Sequence, residues 1–177
     1  STVLFNEVKD DRPIQVQIAE QYLFVREKKS NRSPQIDSMC RNCGIPVGSQ
    51  WCAAFVYWCL DKGGVYYPQR KSGLARSFVN KNSFTAWDVI NGKRRVTQGC
   101  SMTWQRGNTK NGHEALASED WDGISGKTYE GNTSSGKKGS QHDGDGAFSR
   151  TRKIEPYNYT MRIRWFTPFD NCKETRI

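Results

Sequence analysis

Three positions in this chain have the residue types and order that acyl chemistry at an amide requires. Cys52 opens the apolar stretch Trp51-Cys52-Ala53-Ala54-Phe55, His113 follows Gly112 ahead of Glu114-Ala115-Leu116-Ala117, and Glu130 lies in Tyr129-Glu130-Gly131-Asn132-Thr133. In such a set a thiolate attacks the acyl carbon, an imidazole carries the proton, and a third polar side chain holds the imidazole. A cysteine reacts only as thiolate, and a helix N-terminus lowers its pKa through unpaired N–H groups and the macrodipole. Cys52 stands at such a start, after the loop of residues 44–50, with the small Ala53 and Ala54 leaving room for a substrate backbone. Its backbone N–H is a candidate oxyanion donor. Each residue alone has a plainer reading: a buried thiol like Cys59, a surface histidine at a strand start, a solvated glutamate at a strand end. Their conjunction points to chemistry. The other histidine, His142, falls in the Gly- and Asp-rich stretch of residues 139–146, a poor place for a base that must be held still.

The elements that must position these residues are legible in part. Residues 13–28 read as an amphipathic helix with Asp11 as cap, Pro13 in the first turn and Ile14, Ile18, Tyr22 and Val25 at helical spacing. Ser33 caps a second helix with Pro34 at its first position, and Gly44 stops it. The third helix runs from near Trp51 to Gly63-Gly64, and residues 73–80 and 83–90 read as short helices. Strands follow at about 99–105, 113–118, 126–131, 147–153 and 160–167. Alternation places Glu130 and Asn132 on one face, where either could accept the imidazole N–H. Helices first and strands afterwards predict an α+β fold with an antiparallel sheet in the C-terminal half, one domain over 1–177 with its core at about 13–167.

With 177 residues, six Trp, seven Tyr and eight Phe, the chain can pack a sizeable core without disulfides. No apolar run is long enough to span a membrane, and Ser-Thr-Val-Leu-Phe-Asn-Glu shows no basic segment followed by an apolar one. The net charge of +9 favours polyanionic partners, including anionic wall polymers, although the cations are scattered rather than gathered as in a specific nucleic-acid binder. If Cys52 is a free nucleophile, five of the six cysteines remain and cannot all pair, which fits synthesis in a reducing compartment with mostly buried thiols. Cys40-x-x-Cys43 reads as a core face, and Trp104 and Trp121, flanking the His113 strand, read as core rather than groove.

Asn31-Arg32-Ser33-Pro34, Gly44, Trp51 through Leu60, Gly112-His113, Tyr129-Glu130-Gly131-Asn132-Thr133-Ser134 and Asp143-Gly144-Asp145-Gly146 leading into Arg150-Thr151-Arg152 together resemble the CHAP (cysteine, histidine-dependent amidohydrolase/peptidase) domains of bacterial and phage cell-wall hydrolases. The resemblance covers roughly residues 15–167. It implies a papain-like core and cleavage of a peptidoglycan amide, with Cys52 as nucleophile, His113 as general base and acid, Glu130 as orienter and Asn132 as a supporting polar residue. Two places depart from the family pattern: Ala115 stands where a glycine is frequent, and the Gly-Asp before the histidine strand is absent, with Gly99-Cys100-Ser101 nearby instead.

No cofactor and no metal are expected. Some relatives bind calcium just before the cysteine, but residues 40–51 contain no acidic side chain. Asp143-Gly144-Asp145-Gly146 begins like a calcium loop yet has Phe148 and Ile154 where Gly and Glu are needed. The resemblance implies bacterial peptidoglycan as partner, action at the wall in the periplasm or outside the cell, and an immunity protein if the chain is a delivered toxin. The alternatives are a cysteine hydrolase acting on a non-wall protein or small amide, and a non-catalytic wall-binding module.

Overall fold

A computed structural model describes residues 9–136 and 144–177. Helices α1 (Ile14–Gln21), α2 (Pro34–Cys43) and α3 (Cys52–Lys62) come first. A 3-10 turn (Ala75–Phe78), a two-residue strand β1 (Phe84–Thr85) and helix α4 (Ala86–Ile90) follow. Then come β2 (Ser101–Gln105), β3 (Gly112–Ala117), β4 (Ser125–Thr133), β5 (Gly146–Lys153) and β6 (Arg162–Thr167). The six strands form one antiparallel sheet in the order β1-β6-β2-β3-β4-β5. The expected α+β architecture, N-terminal helices packed on a C-terminal antiparallel sheet, is the one observed. Among the described residues no helix is long and apolar enough to cross a membrane.

Local chemistry explains most boundaries. Ser33 accepts the N–H of Ile36 at 3.2 Å, Pro34 occupies the first helical position, and Gly44 closes α2 at φ 74°. Cys40 and Cys43 lie on the buried face of α2 beside Ile36 and Met39, as the core reading requires. Thr85 and Asp88 form a reciprocal capping box at the start of α4. Helix α1 corrects the sequence reading: it ends at Gln21 rather than 28, and Pro13, not Asp11, stands at its N-cap without a side-chain bond. The chain turns at residues 22–25 because Arg26 must reach β5. It bridges Gly146, and its guanidinium donates to the carbonyls of Leu23, Val25 and Ala147 at 2.8–2.9 Å. Val25 stays buried through this turn, so its helical spacing was coincidental.

Helix α3 is buried almost all round, as the run of Ala, Phe, Val, Tyr, Cys and Leu demands. It packs on α1 and α2 on one side and on β3 and β4 on the other. Leu116 of β3 joins the apolar cluster around α3, whereas Ala115 and Ala117 join a second cluster with Met102, Trp104, Trp121, Ile163 and Phe166. The sheet therefore separates two cores.

Gly131 sets how closely α3 approaches β4. A Cβ there would lie 2.5 Å from Cβ of Phe55 and 2.7 Å from Cζ3 of Trp51, well inside van der Waals contact. Trp51 in turn is anchored by its indole N–H on Glu27 at 3.0 Å. The missing side chain is what lets the first turn of α3 lie on the strand. Gly131→Ala is therefore expected to cost about 1–3 kcal/mol in urea unfolding and to slow alkylation of Cys52. Unchanged stability and alkylation would show that α3 does not depend on this contact.

Candidate active site

Three elements converge. Cys52 is the first residue of α3, His113 the second of β3, and Glu130 the sixth of β4; all three side chains are buried. The β3–β4 ladder pairs Leu116 with Tyr129 and Ala117 with Thr128. Beyond that point the strands splay, and side chains bridge the gap. His113 Nε2 bonds Glu130 Oε1 at 2.7 Å, which leaves Nδ1 for the thiol. Gly112, just before the histidine, lies against the strand opposite so closely that a Cβ would sit 1.7 Å from the Trp104 carbonyl oxygen.

Glu130 is the most heavily partnered carboxylate of the site. Arg152 of β5 reaches both its oxygens, Nε on Oε2 at 2.7 Å and Nη2 on Oε1, while the Thr128 hydroxyl donates to Oε2. Burial would raise its pKa, but the hydrogen bonds and charges of Arg152 and His113 hold it well below the usual carboxylate range. An ionised Glu130 fixes the proton on Nε2 of His113. The Trp104 ring stands edge-on to the imidazole, centroids 5.1 Å apart, and the Arg152 guanidinium lies 5.2 Å from the same ring. Both Trp104 and Trp121 are buried in the second core, as their packing reading requires.

The thiol and imidazole shift each other. Burial works against charge on Cys52, yet the hydrogen bond and charge of His113, with the backbone N–H groups of Glu114 and Ala53, bring the thiol below its ordinary pKa. Burial likewise opposes a charged His113, but Cys52 and Glu130 raise it to about 9. At neutral pH these directions favour a thiolate–imidazolium pair. Cys59, on the same helix, has burial alone and is pushed up. Position on the helix, not the helix itself, makes Cys52 different. As the first helical residue, Cys52 also has a backbone N–H without an intrahelical acceptor, the group read as an oxyanion donor. All six cysteines are free thiols.

Asn132 does not join this chain of bonds. A bulge between Glu130 and Thr133 breaks the alternation, Asn132 takes φ 52°, and its Oδ1 has no partner among the described residues. Glu130 alone of the two holds the imidazole. His142 and Asp143 lie outside the described residues. Among the described residues no group of three or more His, Cys, Asp or Glu side chains is gathered so as to hold a metal ion.

Three participants escaped the sequence reading of the site. Arg152 carried no role there, because only strand pairing brings β5 against Glu130. Trp104 was placed in the core without its contact to the imidazole. The third is Glu114, whose side chain points to the face opposite His113 and is fully buried. Thr103 donates to its Oε1 at 2.7 Å, while Oε2 has no hydrogen-bond partner among the described residues. Burial raises its pKa well above the ordinary value, with the Thr103 bond a partial offset. The only sequence signal was a charged residue inside an otherwise apolar strand.

No protein-family model, curated protein or solved structure matches this chain.

A carboxyl that stays protonated in the fold but ionises in the unfolded chain costs stability as pH rises through its unfolded value, about 4.5. Below that pH neither state is charged and the cost vanishes. Glu114→Gln removes the titration while keeping the shape. Relative to wild type, the variant is expected to gain stability steadily from about pH 4 to pH 7 in urea unfolding. A difference that does not change with pH would mean that Glu114 is not held neutral.

Proposed function

We propose that this protein is a cysteine amidohydrolase that cleaves an amide bond of peptidoglycan, as the CHAP-like motifs imply. The observation that carries the hydrolytic part is the buried relay of Cys52, His113 and Glu130, assembled from three separated elements with the thiol lowered and the imidazole raised. The wall as substrate rests on the motif resemblance and on the positive net charge.

In the proposed reaction the Cys52 thiolate attacks the carbonyl carbon, and the developing oxyanion is met by the backbone N–H of Cys52. His113, already protonated, gives its proton to the departing amine as the carbon–nitrogen bond breaks. The thioester left on Cys52 is then attacked by water, whose proton the same imidazole takes. Thiol and acid are released. Glu130 holds the ring throughout and stabilises its charged form, while Arg152 keeps Glu130 ionised. Trp104 covers the imidazole and limits competition from water for the His113–Glu130 bond.

The direct test is mass spectrometry of soluble fragments after digestion of purified peptidoglycan by wild type and by Cys52→Ala. Fragments released by wild type alone are expected, and their masses identify the bond. Silence of wild type on walls of several chemotypes, with turnover of protein substrates, would replace the wall by a protein substrate.

The role of Glu130 has its own signature. In wild type the alkaline limb of kcat/KM should follow loss of the imidazolium proton near pH 9. Glu130→Gln removes the charge that raises His113, so the limb should move to lower pH, and kcat should fall by on the order of 100-fold to 10,000-fold. An alkaline limb that stays in place would show that Glu130 does not set the imidazole pKa.

A further inference from the structure

Strand β6, separated from β3 by β2, carries a second concentration of chemistry. Arg76, Arg162 and Arg164 gather there, and none has a carboxylate partner among the described residues. Arg162 and Arg164 donate instead to neutral oxygens, both to Gln105 Oε1 at 3.2 and 2.5 Å, and Arg162 also to the Gly107 carbonyl at 3.0 Å. Burial, then the charges of Arg162 and Arg76, lower the Arg164 pKa. A β-bulge leaves Arg164 outside the β2–β6 register, since Thr103 pairs with Trp165 and Trp104 with Ile163. Like charges are thus held together by fixed geometry rather than neutralised, which favours an anionic ligand.

The cations are interleaved with rings. Arg76 and Arg164 lie 4.7 and 4.6 Å from the Trp165 ring, and Arg162 lies 5.1 Å from Tyr159. Beside them Trp87 and Tyr157 meet edge to face at 5.9 Å, and both are open to solvent, 47% and 73% exposed. Trp87, Tyr157, Tyr159 and Trp165 line a cavity of about 240 Å³ with Arg162 and Arg164, and no acidic residue lines it. Exposed aromatic faces of this kind suit the flat apolar face of a ring-bearing ligand.

This cavity adjoins a second one that touches two residues packed around the candidate active site. Arg162 and Ile163 also line a neighbouring cavity of about 430 Å³, whose walls include Trp104 and Arg152. Those two side chains are the ones that cover His113 and hold Glu130. The two cavities share Arg162 and Ile163, and Trp104 and Arg152 stand between the second of them and the relay residues, which line neither. A ligand occupying the aromatic cavity must offer a ring and an anion.

We propose that the groove rimmed by Trp87, Tyr157, Arg162 and Arg164 is a subsite for the sugar-bearing, carboxylate-bearing part of a wall glycopeptide. A sugar ring stacks on Trp87 and Tyr157, and a carboxylate is held by Arg162 and Arg164. The inference rests on the reading of the protein as a wall hydrolase. A wall glycopeptide carries in one molecule the ring, the carboxylate and the amide that the proposed reaction cleaves. A nucleic acid would satisfy the rings and charges alone, and its binding is an outcome of the test.

The test measures binding by the full chain carrying Cys52→Ala, so that substrate is not consumed. Co-sedimentation with purified sacculi is read beside calorimetric titration with a disaccharide-tetrapeptide, the same peptide without sugars, and a single-stranded oligothymidylate. Adding Trp87→Ala or Arg164→Gln should weaken sacculus and disaccharide-tetrapeptide binding at least tenfold. Trp87→Ala should leave the sugar-free peptide unaffected, and Trp87→Phe should restore most of the loss. Both positions are exposed, and unchanged thermal midpoints would confirm that the variants fold. Unchanged wall and glycopeptide binding in both variants overturns the subsite, as does tighter binding of the oligonucleotide lost in the same variants. Fragment release by the Cys52 form separates the two readings. If the variants lose glycopeptide binding while the Cys52 protein cuts no wall, the subsite stands and the hydrolase reading falls.

Discussion

A carboxylate without exposed surface lies between two strands of this protein, and much of the candidate site depends on its staying ionised. Glu130 is bonded by Arg152, Thr128 and His113. Those partners together replace the water it has lost, which is the condition for a buried charge to be tolerated. Removing one partner of such a pair commonly costs about 3–5 kcal/mol, because the remaining charge is left buried. The arrangement is therefore exacting. It commits β5 to β4, fixes the His113 ring, and through that ring lowers the thiol pKa at the start of α3.

The carboxylate could not act on Cys52 unless helix and sheet met at the right place. Regular pairing of β3 with β4 stops after Leu116 and Tyr129, so His113 and Glu130 are freed from the ladder and face each other through side chains. Gly131, the next residue, admits the first turn of α3 against β4. The bulge that follows turns Asn132 away from the regular alternation. Glu-Gly-Asn-Thr thus combines an orienting charge, a close approach and a break in the ladder within four residues. That physical division of labour explains the spacing without reference to any relative.

What was legible in the sequence follows the range of the interactions. Ser33-Pro34, Gly44 and the run from Cys52 to Leu60 are governed by bonds within a few residues, and those elements form where they were expected. His113 was readable because the chain has only two histidines, and Cys52 and Glu130 because of the motifs that frame them; the structure brings the three side chains together. Helix α1 was overextended because the pull of Arg26 toward Gly146 comes from more than a hundred residues away. Asn132 was given a place beside Glu130 by strict alternation, which a bulge overrides. Strand β1 has only two residues and exists through its pairing with β6, so no periodicity announces it. Arg152 and Glu114 belong to the same class: their roles are created by strand neighbours, and composition carries no trace of them.

The arginines on one sheet show how the same residue type can serve opposite ends. Arg152 is nearly buried and its charge is cancelled by Glu130, so it acts on structure and on the imidazole rather than on anything outside. Arg162 and Arg164 are held by Gln105 and by the rings of Tyr159 and Trp165, which orient a guanidinium without neutralising it. A net charge of +9 does not distinguish these cases. The distinction lies in whether an acid or a neutral oxygen meets the donor. By that criterion Arg162 and Arg164 on β6 keep their charge available at the cavity lined by Trp87 and Tyr157. Charge that is fixed in place but not cancelled can orient an anionic ligand as well as attract it, and orientation is what chemistry at a buried thiol requires.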